Sequence, residues 1–191
     1  MKDKLKSLDG AMSTVAQASG MGEQCKAEGV YSVKCFDGET LVWEDTFDNV
    51  VTYVGQNLML SSSLQGSAYT VTGPYMGLIS SVGWSATAVT DTMSSHAGWT
   101  EAGTTNAPTF AARVAPAFSA PASGVIATSA AVSFTMTGAG TLEGAFIVFG
   151  TGAVTTIGDT NGTLLSAGAF SGGAQPVNSG NVVQVTYSLS L

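Results

Sequence analysis

From Thr52 to Leu191 the chain carries only five ionisable side chains among its Asp, Glu, Lys and Arg positions: Asp91, Glu101, Arg113, Glu143 and Asp159. A soluble enzyme usually spends charge on its surface and on its site, whereas here Ser, Thr, Gly, Asn and Ala fill the positions between apolar residues. The pattern predicts β-structure built for contact rather than a catalytic surface. All the other Asp, Glu, Lys and Arg residues lie between Lys2 and Asp48, so charge is segregated into the first fifty residues.

With 191 residues the chain is long enough for one domain, or one domain with an arm, and for a real core: roughly 70% of the unfolded surface becomes buried at this size. Its 24 glycines predict many turns between short strands. The net charge of −7, with Arg113 the only basic side chain after Lys34, argues against nucleic acid, whose phosphates demand clustered Lys and Arg. Acidic charge also disfavours anionic membrane surfaces. No stretch approaches the length of apolar run that crosses a bilayer. Residues 1–18 lack the apolar core of a secretory signal, so synthesis and retention in a cytosol are expected. A reducing compartment favours free thiols at Cys25 and Cys35 over a disulfide between them.

Residues 1–28 read as an arm or a short helix, and 29–191 as a single β-domain. Within the arm, Leu5, Leu8, Met12 and Val15 recur at spacings of three and four, which places them on one helical face. Gly10 and the glycines at 20 and 22 weaken a helix there, leaving an amphipathic helix or a flexible arm that orders on a partner. From Val30 the period becomes two. Tyr31, Val33 and Cys35 face one side, Asp37-Gly38 supplies a turn, and Leu41 and Trp43 return, so 29–47 reads as a hairpin. Asp48 or Asn49 is then expected to cap a helix carrying Val51, Val54 and Leu58.

Further strands are predicted at Pro74 to Val82 and Val125 to Thr137, both half-buried, at Leu142 to Phe149 as a central strand, and at Gly162 to Phe170. The last, with Val183, Val185, Tyr187 and Leu189 alternating against Gln184, Thr186 and Ser188, has the clearest period of two. The stretch from Ala107 to Gly124, with Pro108, Pro116 and Pro121, reads as an irregular loop or edge strand. The fold class is therefore mainly β: an antiparallel β-sandwich or jelly roll with one short helix and an N-terminal arm.

The chemistry-bearing residues are sparse. Ser94 or Ser95, His96 and Asp91 sketch a nucleophile, base and orienter, but they crowd one apparent loop and lack a G-x-S-x-G turn, which favours an ordered structural loop. Asp91, His96 and Glu101 supply too few imidazole or thiolate ligands for a transition metal. Asp159 to Gly162 lacks the acidic ligands of a calcium loop and reads as a turn. Trp43, Trp84 and Trp99 could form a sugar platform, yet rings of this size in a small β-domain are more often core or subunit contact. No catalytic, metal or cofactor residue is assigned, and the chain is not expected to be an enzyme.

Taken in order, Gly-Val-Tyr-Ser-Val-Lys-Cys-Phe-Asp-Gly at 29–38, Asp-Asn-Val-Val-Thr at 48–52 and Tyr-Met-Gly-Leu-Ile at 75–79 resemble small β-rich structural proteins of tailed bacteriophages. The loop from Asp91 to Glu101, Gly-Ala-Phe-Ile-Val at 144–148, Gly-Thr-Leu-Leu-Ser-Ala-Gly at 162–168 and the closing strand continue the likeness over residues 29–190. The resemblance implies a virion component of the capsid decoration, cement or head-fibre type, made in the host cytoplasm and seated on the capsid surface. Its implied partners are the major capsid protein and further copies of itself, as a trimer or dimer. It carries no catalytic residues to transfer. The other reading is a tail or fibre module that recognises a host receptor.

Overall fold

The computed structural model describes residues 27–65 and 72–191. Ten strands and one helix follow in the order β1 (Glu28–Asp37), β2 (Thr40–Val51), α1 (Tyr53–Leu64), β3 (Tyr75–Ser80), β4 (Thr100–Glu101), β5 (Val125–Ala127), β6 (Val132–Thr135), β7 (Gly140–Phe149), β8 (Thr163–Ala169), β9 (Gln175–Val177) and β10 (Val182–Ser190). The expected mainly-β antiparallel fold is what forms, with a sandwich-like arrangement. Arm residues 1–26, including Cys25, fall outside the described residues; Ala27 and Glu28 are described, and Glu28 opens β1.

Two layers arise because β2 belongs to both. Along most of its length it pairs with β1, which pairs in turn with β10 and, through it, with β5 and β6. Its last residues, Val50 and Val51, leave that layer and pair with Ala167 and Ser166 of β8. Beyond β8 the second layer continues through β7, β3 and β4, with β9 on the far part of β7. Between the layers lies the main core. Tyr31, Val33, Cys35, Val183, Val185 and Tyr187 come from the first layer and Met76, Leu78, Ala145, Ile147 and Leu165 from the second. The alternation read for β1 and β10 is thus the inward face of the first layer. Cys35 is a free, fully buried thiol, and burial, with the Asp37 carboxylate as a smaller contribution, pushes it up to about 11.

The second layer is buried on both sides. Phe146 and Val148 of β7 point away from the main core into a smaller one with Ile79, Met93, Trp99 and Leu164. Pro74 to Val82 is accordingly not half-buried: Met76 to Ser80 are all buried, because loops supply Met93, Trp99 and Ala153 as a lid over this sheet. Close backbone approach sets two glycines there. A Cβ on Gly77 would lie 2.4 Å from the Phe146 ring, and one on Gly144 would lie 1.9 Å from the Gly168 carbonyl oxygen.

Two local expectations are corrected. The hairpin turn is Gly38-Glu39 rather than Asp37-Gly38, since Asp37 pairs with Thr40 and Gly38 takes φ +59 at the first turn position. The helix cap is Thr52, not Asp48 or Asn49. β2 runs on to Val51 to reach β8, so Val51 lies in a strand and the first residue free to cap is Thr52, whose Oγ1 accepts from the Gly55 N–H at 3.1 Å. Its hydroxyl also donates to the Leu164 carbonyl, which ties α1 onto β8. Gly144→Ala, which forces a methyl against backbone, is expected to destabilise the fold by about 1–3 kcal/mol or more, read as a lowered urea midpoint with unchanged slope.

Candidate functional site

Of the five ionisable side chains after Thr52, four are buried: Asp91, Glu101, Arg113 and Glu143. Each must find an internal partner or shed its charge, because an isolated buried ion is costly. Arg113 is the most enclosed. Its Nε and Nη2 donate to Glu101 Oε1 and Oε2, both at 2.7 Å, in the two-pronged geometry that suits guanidinium and carboxylate. Two further N–H groups reach backbone: Nη2 to the Asp159 carbonyl at 2.7 Å and Nη1 to the Val154 carbonyl at 3.3 Å. Glu101 Oε2 also accepts from the Gly158 N–H at 2.7 Å, and the guanidinium lies 5.5 Å from the centre of the Phe146 ring. This pair clamps edge strand β4, the irregular segment that holds Arg113 and the loop that precedes β8.

Asp91 serves a second clamp. Its Oδ2 accepts from the Trp99 indole N–H at 3.0 Å and from the Ala88 N–H at 2.9 Å. His96 stacks on Trp99 at 3.8 Å, and its Nδ1 faces the Trp99 carbonyl at 2.9 Å, where it must donate. Asp91 is therefore spent on Trp99 rather than on His96. Ser94 lies exposed, with Thr92 Oγ1 at 3.3 Å, while Ser95 exchanges backbone hydrogen bonds with Thr92. The sequence brings these residues into one ordered loop but not into a relay. Asp91 and His96 both turn to Trp99 and Glu101 turns to Arg113, and no three His, Cys, Asp or Glu side chains converge among the described residues.

Asp159 folds over its own chain, with Oδ1 accepting from the Asn161 N–H at 2.8 Å. This is the Asx geometry of a turn. The tryptophans divide between the two cores. Trp99 is buried and Trp84 packs beside it in the smaller core, whereas Trp43 packs edge-on against Phe170 and donates to the Pro176 carbonyl at 2.8 Å. They make no common platform.

The outer surface follows from this accounting. Past Thr52, Asp159 is the only Asp, Glu, Lys or Arg that is not buried. The fully exposed Asp, Glu, Lys and Arg side chains among the described residues all lie in the β1–β2 hairpin: Glu28, Asp37, Glu39, Glu44 and Asp48, with Lys34 paired to Glu44 at 2.8 Å. The arginine clamp was missed by sequence reasoning, although a lone Arg113 within a nearly chargeless segment was its signal. Near the hairpin base lies a groove of about 810 Å³, lined by Ala27, Gly29, Asn49, Tyr53, Gln56 and Val125 among others. A smaller cleft of about 240 Å³ opens beside His96, Thr105, Asn106 and Asp159.

No protein-family model, curated protein or solved structure matches this chain.

Removing one partner of the clamp strands the other charge, so Arg113→Met is expected to cost about 3–5 kcal/mol, measured by chemical denaturation. Arg113→Lys should recover little of it, because an ammonium cannot bridge both carboxylate oxygens; full recovery by lysine would show that the two-pronged geometry is unimportant. Glu143 gives the pH signature. It belongs to neither ion pair formed among the described residues, and burial raises its carboxyl above the ordinary value. With the folded value above the unfolded one, the wild-type chain keeps the associated stability in acid and loses it as pH rises through the folded value. Glu143→Gln should therefore match wild type in acid and exceed it at neutral pH, as thermal midpoints across pH will show.

Proposed function

We propose that this chain is a structural protein of a tailed-bacteriophage virion, of the capsid decoration or cement type, that binds the major capsid protein and stabilises the head shell. The observation that carries the reading is the inward turning of four of the five charges after Thr52, which leaves a broad surface of hydroxyl, amide and small apolar groups. A contact made by such a surface desolvates almost no ions, and the cores of protein interfaces are depleted of charged residues for that reason. The likeness of segments 29–190 to small phage structural proteins supports the same reading.

The described residues perform no evident chemistry in this role. Asp91, His96 and Arg113 hold loops against the second layer and fix the shape of the neutral surface. Further copies on a symmetric shell would reuse one patch, as trimers or dimers do. The second reading, a tail or fibre module binding a host receptor, is favoured by the hydroxyls of Thr104, Thr105 and Thr160 in the small cleft, which suit a polyhydroxylated ligand.

Copies of this chain per purified virion, counted against the major coat protein, test the proposal. A number comparable to the coat protein is expected. A small fraction of it would move the chain to tail or fibre, and its absence from virions would overturn the virion reading.

A further inference from the structure

The loop that leads into β8 ends in Asn161-Gly162, the single Asn-Gly pair of the chain. Asn161 is exposed. Glycine at 162 is demanded by the fold, because its φ is +87 and a Cβ there would lie 2.8 Å from Val148 Cγ2 and 2.9 Å from the Ala153 Cβ. With no side chain at 162, its backbone nitrogen stands unshielded beside the amide carbon of the preceding residue, Asn161 Cγ. That nitrogen is also unengaged: the Gly162 N–H makes no hydrogen bond among the described residues. The other asparagines differ. Asn49, Asn57, Asn106 and Asn181 precede Val, Leu, Ala and Val, and Asn178 precedes Ser, so in each a side chain crowds the nitrogen that follows.

We propose that Asn161 is a self-modifying site: it loses its side-chain amide to attack by the Gly162 nitrogen, and the product unlatches the loop that Arg113 holds. The Gly162 nitrogen bonds to Asn161 Cγ, the bond from Cγ to the side-chain nitrogen breaks, and that nitrogen leaves as ammonia with the proton that Gly162 gives up. A cyclic imide remains. Water then adds at one of its two carbonyl carbons and opens the ring, giving aspartate or the isomer whose main chain runs through the side-chain carbons.

Asp159 gives the modification its reach. Both of its carboxylate oxygens are spent on Asn161, Oδ1 accepting from the N–H at 2.8 Å and Oδ2 from Nδ2 at 3.2 Å. Conversion replaces that Nδ2 donor by a carboxylate oxygen, so an attraction becomes a repulsion between like charges. The carbonyl of the same Asp159 accepts from Arg113 Nη2, and the neighbouring Gly158 N–H donates to Glu101. A displaced Asp159 therefore takes a partner from the guanidinium and frees the loop from the clamp. Neither step depends on the virion reading.

The test incubates the purified full-length chain, folded, in mildly alkaline buffer, digests it under acidic conditions, and follows each asparagine by peptide mass and by chromatographic separation of the two acid products. Asn161 is expected to convert at least about ten-fold faster than the exposed Asn178, an advantage of about 1.4 kcal/mol in barrier. Asn161→Asp, which supplies one product outright, should lower the urea midpoint. Asp159→Asn combined with Asn161→Asp again sets one amide against one carboxylate and should recover most of that loss. Conversion of Asn161 no faster than that of Asn178 overturns the self-modifying site, and so does conversion that appears only once the chain is unfolded. A midpoint unmoved by Asn161→Asp, or a loss that the reciprocal pair does not recover, overturns the unlatching.

Discussion

The ion pair between Arg113 and Glu101 decides how the second layer can exist at all. A sheet with two apolar faces needs cover on both. The first layer covers one, but the other is covered only by long irregular segments that have little regular hydrogen bonding of their own. Arg113 converts those segments into a lid. Through Glu101 it holds β4, through the Asp159 and Val154 carbonyls it holds the loop before β8, and its own N–H donates to the Thr155 carbonyl at 2.9 Å. With the lid in place Phe146, Val148 and Trp99 are dry, and a dry surrounding in turn strengthens the pair. Hydrophobic cover and electrostatic clamp are therefore one cooperative unit.

That arrangement also explains where the charge went. A chain that restricts itself to so few ionisable groups after Thr52 places them where a neutral hydrogen bond would be weaker, since bonds to an ionised partner are roughly twice as strong. Asp91 accepting from Trp99 and Ala88 does for the 81–99 loop what Glu101 does for its neighbours. Among the described residues, exposed charge falls mainly to the β1–β2 hairpin, whose carboxylates run from its base at Glu28 and Asp48 to its tip at Asp37 and Glu39. Among the described residues the surface beyond that hairpin is nearly free of charge, and such a surface is the better suited to broad contact.

Local patterns carried much of the fold and none of the long-range decisions. β1 and β10 were legible because one face of each is buried and the other wet, so Val33 and Val185 alternate with Lys34 and Gln184. β7 was legible as central through its unbroken apolar run. β4 and β9, with two and three residues, are too short for any period to register. The cap was misplaced because Asp48, Asn49 and Thr52 are all competent by chemistry; the choice is made by Val50 and Val51 pairing with β8, more than a hundred residues away. Among the candidate site residues, Asp91 and His96 were correctly gathered into one ordered loop, yet their partner is Trp99. Sequence spacing cannot say which way an indole N–H points.

The seam where β2 passes between layers shows how such distant choices are enforced. Tyr31 of β1 bonds Ser166 of β8 at 2.8 Å across the core, and Asn49 of β2 donates to the Tyr187 hydroxyl at 3.3 Å. Burial raises both phenols above their ordinary value, so each keeps its proton and remains a donor. This group occupies the space a side chain at Gly29 would need, since a Cβ there would lie 2.4 Å from Asn49 Oδ1 and 2.6 Å from the Tyr187 oxygen. A one-residue slip would carry each strand's apolar residues to its other face, and a buried polar group that loses its partner adds about 1–3 kcal/mol to that cost. Four polar side chains from β1, β2, β8 and β10 meeting at one point therefore select a single register for all four strands. They fix where β2 must turn from one layer to the other, and hence where α1 begins.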